Sequence, residues 1–227
     1  MKLTWKSELP HLVTLAAMLA LAAIGGRGLP ERLPVHWNLA GEPDRWGGQF
    51  EALWLVPLLT AGLYAAMALL PRIDPGRAND ERFAGAWQTA RLCITGFFAG
   101  LYALMHVTYR QSSLDLSSAL MPLLGALLVV LGNLMGKLRP NWFLGIRTPW
   151  TLSSKRSWLL THRAGGWVLI ACGAAFVAAG LVRAPWLRAA AIGALLAGTL
   201  GLTVYSYVVW RSDPDKTPPA GTRPAPE

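Results

Sequence analysis

The stretch LSSALMPLLGALLVVLGNLM, Leu116–Met135, decides the fold class. It carries no charged side chain over the roughly 20 residues that a helix needs to cross the hydrocarbon core of a bilayer. Immediately after it comes KLRPNWFLGIRTPWTLSSKRSWLLTHRAGG, Lys137–Gly166, which is short, basic and rich in Trp, Pro and Gly. A wholly apolar run followed by a dense polar one is the alternation of a membrane protein, with its chemistry placed in the loops.

Five further runs of the same kind lie on either side: Leu9–Gly26, Leu53–Leu70, Leu92–Tyr109, Trp167–Val182 and Ala189–Trp210. The composition agrees, with 53% hydrophobic and only 15% charged residues, where a soluble domain carries about 25% charged. The expected fold is therefore all-α, a polytopic membrane protein with six transmembrane helices. The first run follows Lys2 and Lys6 and ends in small residues, as a signal peptide does. Because five more spans follow, it is read as a retained anchor.

Basic residues orient the spans, since cytoplasmic loops collect Lys and Arg. The N-terminus (Lys2, Lys6), the second loop (Arg72, Arg77, Arg82), the fourth loop (Lys137, Arg139, Arg147, Lys155, Arg156, Arg163) and the tail (Arg211, Lys216, Arg223) share one side. Arg27, Arg32, Arg45, Arg110, Arg183 and Arg188 fall on the other and are outnumbered. Both termini and the Lys137–Gly166 loop are thus expected in the cytoplasm, with the first loop outside. Three units are expected. Residues 1–71 form a two-span unit with the outer loop, residues 72–210 a four-span unit with the inner loop, and residues 211–227 a Pro-rich disordered tail.

The net charge of +9 flanks apolar spans, so it reads as topology and attraction to anionic headgroups, not direct nucleic-acid binding. Cys93 and Cys172 lie inside apolar runs and read as packing residues. His106 and Arg91 lie about a turn from the ends of the third span and are expected to snorkel. His11, just inside the first span, is expected to be interfacial.

The outer loop, LPERLPVHWNLAGEPDRWGGQ, joins the first two spans. Pro30 and Pro34 favour extended backbone before them, and a turn is expected at Gly41–Glu42–Pro43–Asp44. His36, Asn38, Gly41, Glu42 and Asp44 are the candidate residues. Three readings stay open. The loop fixes its own backbone with Trp37 and Trp46 at the interface, it meets a partner, or His36, Glu42 and Asp44 hold a divalent metal. Their spacing matches no zinc signature.

In the inner stretch, the density of Pro and Gly excludes a continuous helix up to Leu152. SSKRSWLLTHR then reads as helical, capped by Ser153 or Ser154, with Trp158 and His162 on one face. Asn133, one turn before Lys137, needs a partner if it lies in lipid. Arg147, Lys155, Arg156, His162 and Arg163 form an expected basic cluster at headgroup level. Attraction to lipid needs only their charge, whereas Asn141, Gly145, Thr148, Pro149 and Thr161 point to a defined surface for a partner or lid. No protease, hydrolase or phosphate-loop motif is present, so no catalytic residue and no cofactor is assigned.

Two blocks carry a family resemblance. Gly132–Asn133, Lys137, Pro140–Asn141, the run GIRTPWTL at Gly145–Leu152 (with Arg147, Thr148, Pro149, Trp150 and Thr151), Trp158, Thr161–His162 and Gly165 resemble the signature of the SdpI family of bacterial membrane proteins. The outer LPxxLPVHWNxxGEPD block is similar to a domain of unknown function that often accompanies it. The resemblance implies a six-span protein of the bacterial cytoplasmic membrane. It further implies protection against an extracellular peptide toxin and relay of its presence to a cytoplasmic transcriptional regulator. A metal-dependent enzyme acting at the outer loop and a small-solute transporter remain alternatives. The Leu, Ala and Gly at most mid-span positions argue against the second.

Overall fold

Each apolar run becomes a helix in the computed structural model, which describes residues 3–74, 80–111 and 114–217. The helices are α1 (Trp5–Ile24), α2 (Gln49–Ile73), α3 (Asp80–Arg110), α4 (Leu116–Met135), the short α5 (Pro149–Leu152), α6 (Lys155–Val182) and α7 (Pro185–Arg211). All but α5 are long and apolar enough to span a membrane, so the chain is a multi-pass membrane protein. Between α1 and α2 the chain forms two antiparallel strands, β1 (Arg32–Trp37) and β2 (Pro43–Gly48). The fold is mostly helical, with this hairpin as its one sheet among the described residues. Lys2, Arg77, Arg223 and the tail beyond residue 217 lie outside the described residues.

Local sequence sets the helix ends. Thr4 caps α1 in a reciprocal arrangement with Ser7, Asp115 caps α4 through the Ser118 amide, and Ser154 caps α6 through the Ser157 amide. Arg183, at φ 58°, makes the tight corner between α6 and α7. The main departure from the sequence reading is α6. The helical loop segment and the fifth span are one helix beginning at Lys155, not two elements meeting near Trp167. The Gly165–Gly166 pair does not break it, because both glycines are packed against neighbouring elements.

That packing belongs to a seam running the length of α4 and α6. A methyl group at Gly125 would come within 2.5 Å of the Gly173 carbonyl oxygen, and one at Gly173 within 2.6 Å of the Gly125 oxygen. Gly132 and Gly166 face each other in the same way, at 2.7 and 2.8 Å. The glycines repeat every seven residues on each antiparallel helix, which keeps them on one face. In lipid, where no hydrophobic force joins helices, backbone approach over small residues supplies the packing.

Three apolar clusters complete the bundle. Phe83, Trp87, Leu134, Leu138 and Trp158 fill the end nearest the inner loop. Met121, Cys172, Phe176 and Ala191 join α4, α6 and α7. Met18, Ala22 and Tyr102 join α1 to α3, with Trp54 of α2 against them. Cys172 is a packing residue, as read from the sequence, and Cys93 is a free thiol.

Candidate functional site

The outer hairpin turns earlier than expected, at Asn38–Gly41. Asn38 is the turn former: its side-chain oxygen accepts from the amides of Ala40 (2.9 Å) and Glu42 (3.0 Å). Gly41 sits at φ +92°, and a Cβ there would overlap the Asp115 carboxylate. Pro43 and Asp44 already belong to β2. Across the strands, His36 Nδ1 and Asp44 Oδ1 are 2.5 Å apart on an exposed face. Glu42 turns instead to the Asn38 amide, at 3.2 Å. The three candidate metal ligands are therefore not gathered, and among the described residues no group of three or more His, Cys, Asp or Glu is.

The tip of this hairpin is docked on α4 and α7. Ser117 Oγ donates to the Asn38 carbonyl at 2.9 Å, and Arg188 Nη2 to the Ala40 carbonyl at 3.3 Å. Arg188, 1% exposed, also donates to Asp115 at 3.2 Å and to Ser118 Oγ at 3.1 Å. Burial pushes the Asp115 carboxyl up. The Ser118 hydroxyl and amide, with Arg188, more than offset this and hold it below the usual carboxylate range. Leu39 and Trp46 face outward, 47% and 51% exposed.

At the opposite end of the bundle, the conspicuous residues of the inner loop build its frame. All the bonding capacity of the Asn141 amide group is engaged locally: its oxygen accepts from Phe143 and Leu144 amides at 2.9 and 2.7 Å, and its nitrogen donates to the Arg139 and Leu144 carbonyls. Gly145 adopts φ +105°, and the space a side chain would need is filled by the His162 ring. His162 accepts from the Ile146 amide through Nε2 (3.0 Å) and faces the Trp158 carbonyl through Nδ1 (2.8 Å). One nitrogen must be bare and the other protonated, so the imidazole is neutral with its proton on Nδ1. Trp158 stacks on the ring at 4.0 Å, as their spacing predicted, and donates to the Leu138 carbonyl. Gly165 leaves room for Ile146.

Thr148 and Thr151 cap α5 reciprocally, with Pro149 at its first turn, and Thr151 Oγ1 donates to the Ile146 carbonyl at 2.8 Å. Ser206 of α7 grips this frame twice: its hydroxyl meets Thr148 Oγ1 at 3.0 Å and its carbonyl accepts from Ser157 Oγ at 2.8 Å. Trp150 packs on Tyr207, with ring centroids 5.2 Å apart. Past α7, Asp213 accepts from Ser154 Oγ, and the Thr217 amide donates to the Ser153 carbonyl. The Ser154 bond holds the Asp213 carboxyl below its ordinary value. The tail's first residues are thus ordered against the loop, in contrast to the expected disorder from residue 211.

These positions revise the sequence reading. Asn141, Thr148, Thr161 and His162 are buried under the loop and do not form its surface. Polar side chains in a Pro- and Gly-rich turn are engaged by the backbone groups that the turn leaves unpaired. The outward basic face consists of Lys137, Arg139, Arg147, Lys155, Arg156 and Arg163, without His162. Arg147 leans back to donate to the Trp142 carbonyl at 2.6 Å. Thr161 and His162 are buried, and Arg163 beside them is exposed. Pro140 is half-buried in the turn. Asn133 is exposed on the bundle surface and donates to its own helix, at Val129 O. Acidic groups, absent from the neighbouring sequence, arrive from afar: Asp213 from the tail and Asp74 from the end of α2, which accepts from the Trp142 amide at 3.2 Å.

Between the first three helices lies a cluster that the sequence reading missed. Arg91 of α3 is paired with Glu8 of α1, at 3.1 and 2.7 Å through its two terminal nitrogens. Tyr64 of α2 donates to Glu8 at 2.8 Å, and Gln88 accepts from Arg91 at 2.9 Å. His11 meets Thr95 at 2.9 Å beside them. Arg91 does not snorkel and His11 is not interfacial; both are 1% exposed. His106 is buried as well, against the Tyr102 carbonyl. The available signal was Glu8 itself, an acidic residue at the start of an apolar run with one Arg in the third.

Comparison with known proteins gives matches to both long loops. Residues 137–210 match the SdpI/YfhL protein family, and residues 13–61 match a domain of unknown function, DUF1648. The immunity protein SdpI of Bacillus subtilis (strain 168) is 25% identical over 145 residues, 64% of this chain and 67% of that protein. No solved structure gives a significant match.

Proposed function

We propose that this chain, a multi-pass membrane protein carrying the SdpI/YfhL family domain, is an immunity protein of the bacterial cytoplasmic membrane. In this reading its outer hairpin meets a secreted antimicrobial peptide and its inner loop is a surface for a cytoplasmic regulator. Both termini lie in the cytoplasm, an orientation supported by the excess of basic residues at the N-terminus, the second and fourth loops and the tail.

One observation carries the reading. The hairpin is braced at its tip by Ser117 and Arg188 while Leu39 and Trp46 remain outward. Outward apolar side chains on a braced support are the preorganised anchors that a binding surface needs. The similarity to an immunity protein supplies the class of partner. The role asks for no bond-breaking chemistry, and none is assigned to any residue. The metal reading lacks a gathered donor set among the described residues. For the transporter reading, the intramembrane carboxylate and guanidinium are bonded to each other, not arranged along a path.

The test is survival. A strain lacking the gene is expected to become sensitive to a peptide secreted by its own species, with resistance restored by the wild-type gene. Unchanged sensitivity to the whole set of secreted peptides would remove the proposal.

A further inference from the structure

One helix, α7, bonds both polar ends of the molecule. At the outer end of α7, Arg188 bonds the hairpin tip at Ala40 and the cap residue Asp115. Eighteen positions along, about 27 Å at helical rise, Ser206 bonds Thr148 and Ser157 of the inner frame. Beyond it, Asp213 bonds Ser154. Each attachment is buried: Arg188 is 1% exposed, Ser206 0% and Asp213 5%.

A second helix, α4, also touches both ends, through Ser117 outside and the chain leading to Leu138 inside. It is not free to move alone, because the glycine seam locks it to α6 along its length, backbone against backbone. The same is not true of α7. It packs along one flank only, chiefly on α6, and is the least buried of the six spans. Sliding of a packed helix is a common way for a small shift at one site to reach another.

We propose that α7 is a transmembrane strut that couples the outer hairpin to the inner loop, with Arg188 as its outer grip and Ser206 and Asp213 as its inner grip. Whatever lifts the hairpin tip from Arg188 releases the strut and loosens the frame around Thr148 and Ser157. Its use to report a toxin rests on the function proposed above; the coupling itself does not.

Coupling between two sites is reciprocal by thermodynamic necessity, which makes the test two-sided. Amide hydrogen exchange is measured on the full chain in nanodiscs of phosphatidylethanolamine and phosphatidylglycerol, with no peptide added. Arg188→Gln is expected to raise exchange at the Leu144, Ile146 and Thr151 amides by about fivefold or more. Asp213→Ala is expected to raise exchange at the Gly41 and Glu42 amides to a similar degree. His36→Ala, which breaks a surface pair within the hairpin and leaves Arg188 bonded, is expected to leave the inner amides at the wild-type rate. Effects confined to the mutated end, or running in one direction only, would overturn the coupling. So would an effect of His36→Ala on the inner loop equal to that of Arg188→Gln. If Arg188→Gln does not fold, the Asp213→Ala arm decides: faster exchange at the hairpin tip supports the strut, and an unchanged rate refutes it. Normal resistance in a strain lacking the gene, beside full coupling in the nanodisc protein, would remove the immunity role and leave the strut intact.

Discussion

His162 shows how far a residue's apparent chemistry can differ from its task. A histidine beside Arg163 in a basic loop suggests a charged or catalytic group. Its two ring nitrogens are instead engaged by the Trp158 carbonyl and the Ile146 amide, and it works as a neutral spacer that shapes the turn at Gly145. His162→Phe keeps the stacking on Trp158 and strands the Ile146 amide, at a cost of about 1–3 kcal/mol. The expected outcome is a protein inserted in the membrane at normal level with a protease-sensitive inner loop and impaired function. Arg147→Gln, by contrast, removes one exposed cation and its exposed bond to the Trp142 carbonyl while the buried frame stays intact, so the loop is expected to stay resistant to protease with function impaired through the outward face. Wild-type function in both variants would count against the inner loop as a working surface. The sequence made these residues conspicuous by their density of Asn, Thr, Gly and Pro. It did not show which way they face, because a backbone in an irregular turn takes up polar side chains wherever its own groups lack partners.

Among the elements, the six spans were legible because twenty apolar residues in a row have few other uses. Their inner contacts were not. Glycine carries almost no hydropathy signal, so the seven-residue repeat joining α4 to α6 became visible only with the two helices side by side. Gly132→Leu would force the backbones apart against the Gly166 carbonyl and Ile170. Overpacking costs typically about 1–3 kcal/mol, and a lower unfolding midpoint in mild detergent is the expected result. The Glu8–Arg91 pair was missed for a different reason: its members lie 83 residues apart and each resembles a flanking charge. Glu8→Gln leaves a buried guanidinium without its counter-charge and should destabilise the protein by about 3–5 kcal/mol. Glu8→Gln combined with Arg91→Met should recover most of that loss in the same unfolding assay. A double variant as unstable as the single one would mean that the pair does more than satisfy itself.

Across the whole molecule, each end of the bundle carries a folded polar structure among the described residues. The outer hairpin belongs in sequence to the first two spans yet rests on α4 and α7, so the two expected units meet at Asp115 and Arg188. Nothing in local sequence announced that contact, since Arg188 reads as a loop charge beside a span. The proposed orientation, membrane and partner rest on charge balance and on the likeness to an immunity protein, and all three meet in the proposal that the hairpin is the toxin-facing surface. The most direct measurement is survival of a deletion strain, challenged with the secreted peptides of its own species, when complemented with Leu39→Ser and Trp46→Ser together. Those substitutions remove the outward apolar anchors and leave the Asn38, Ala40 and Gly41 contacts in place. The expected result is normal insertion and lost protection, while the wild-type gene restores resistance. Full protection by the doubly substituted protein would contradict the claim.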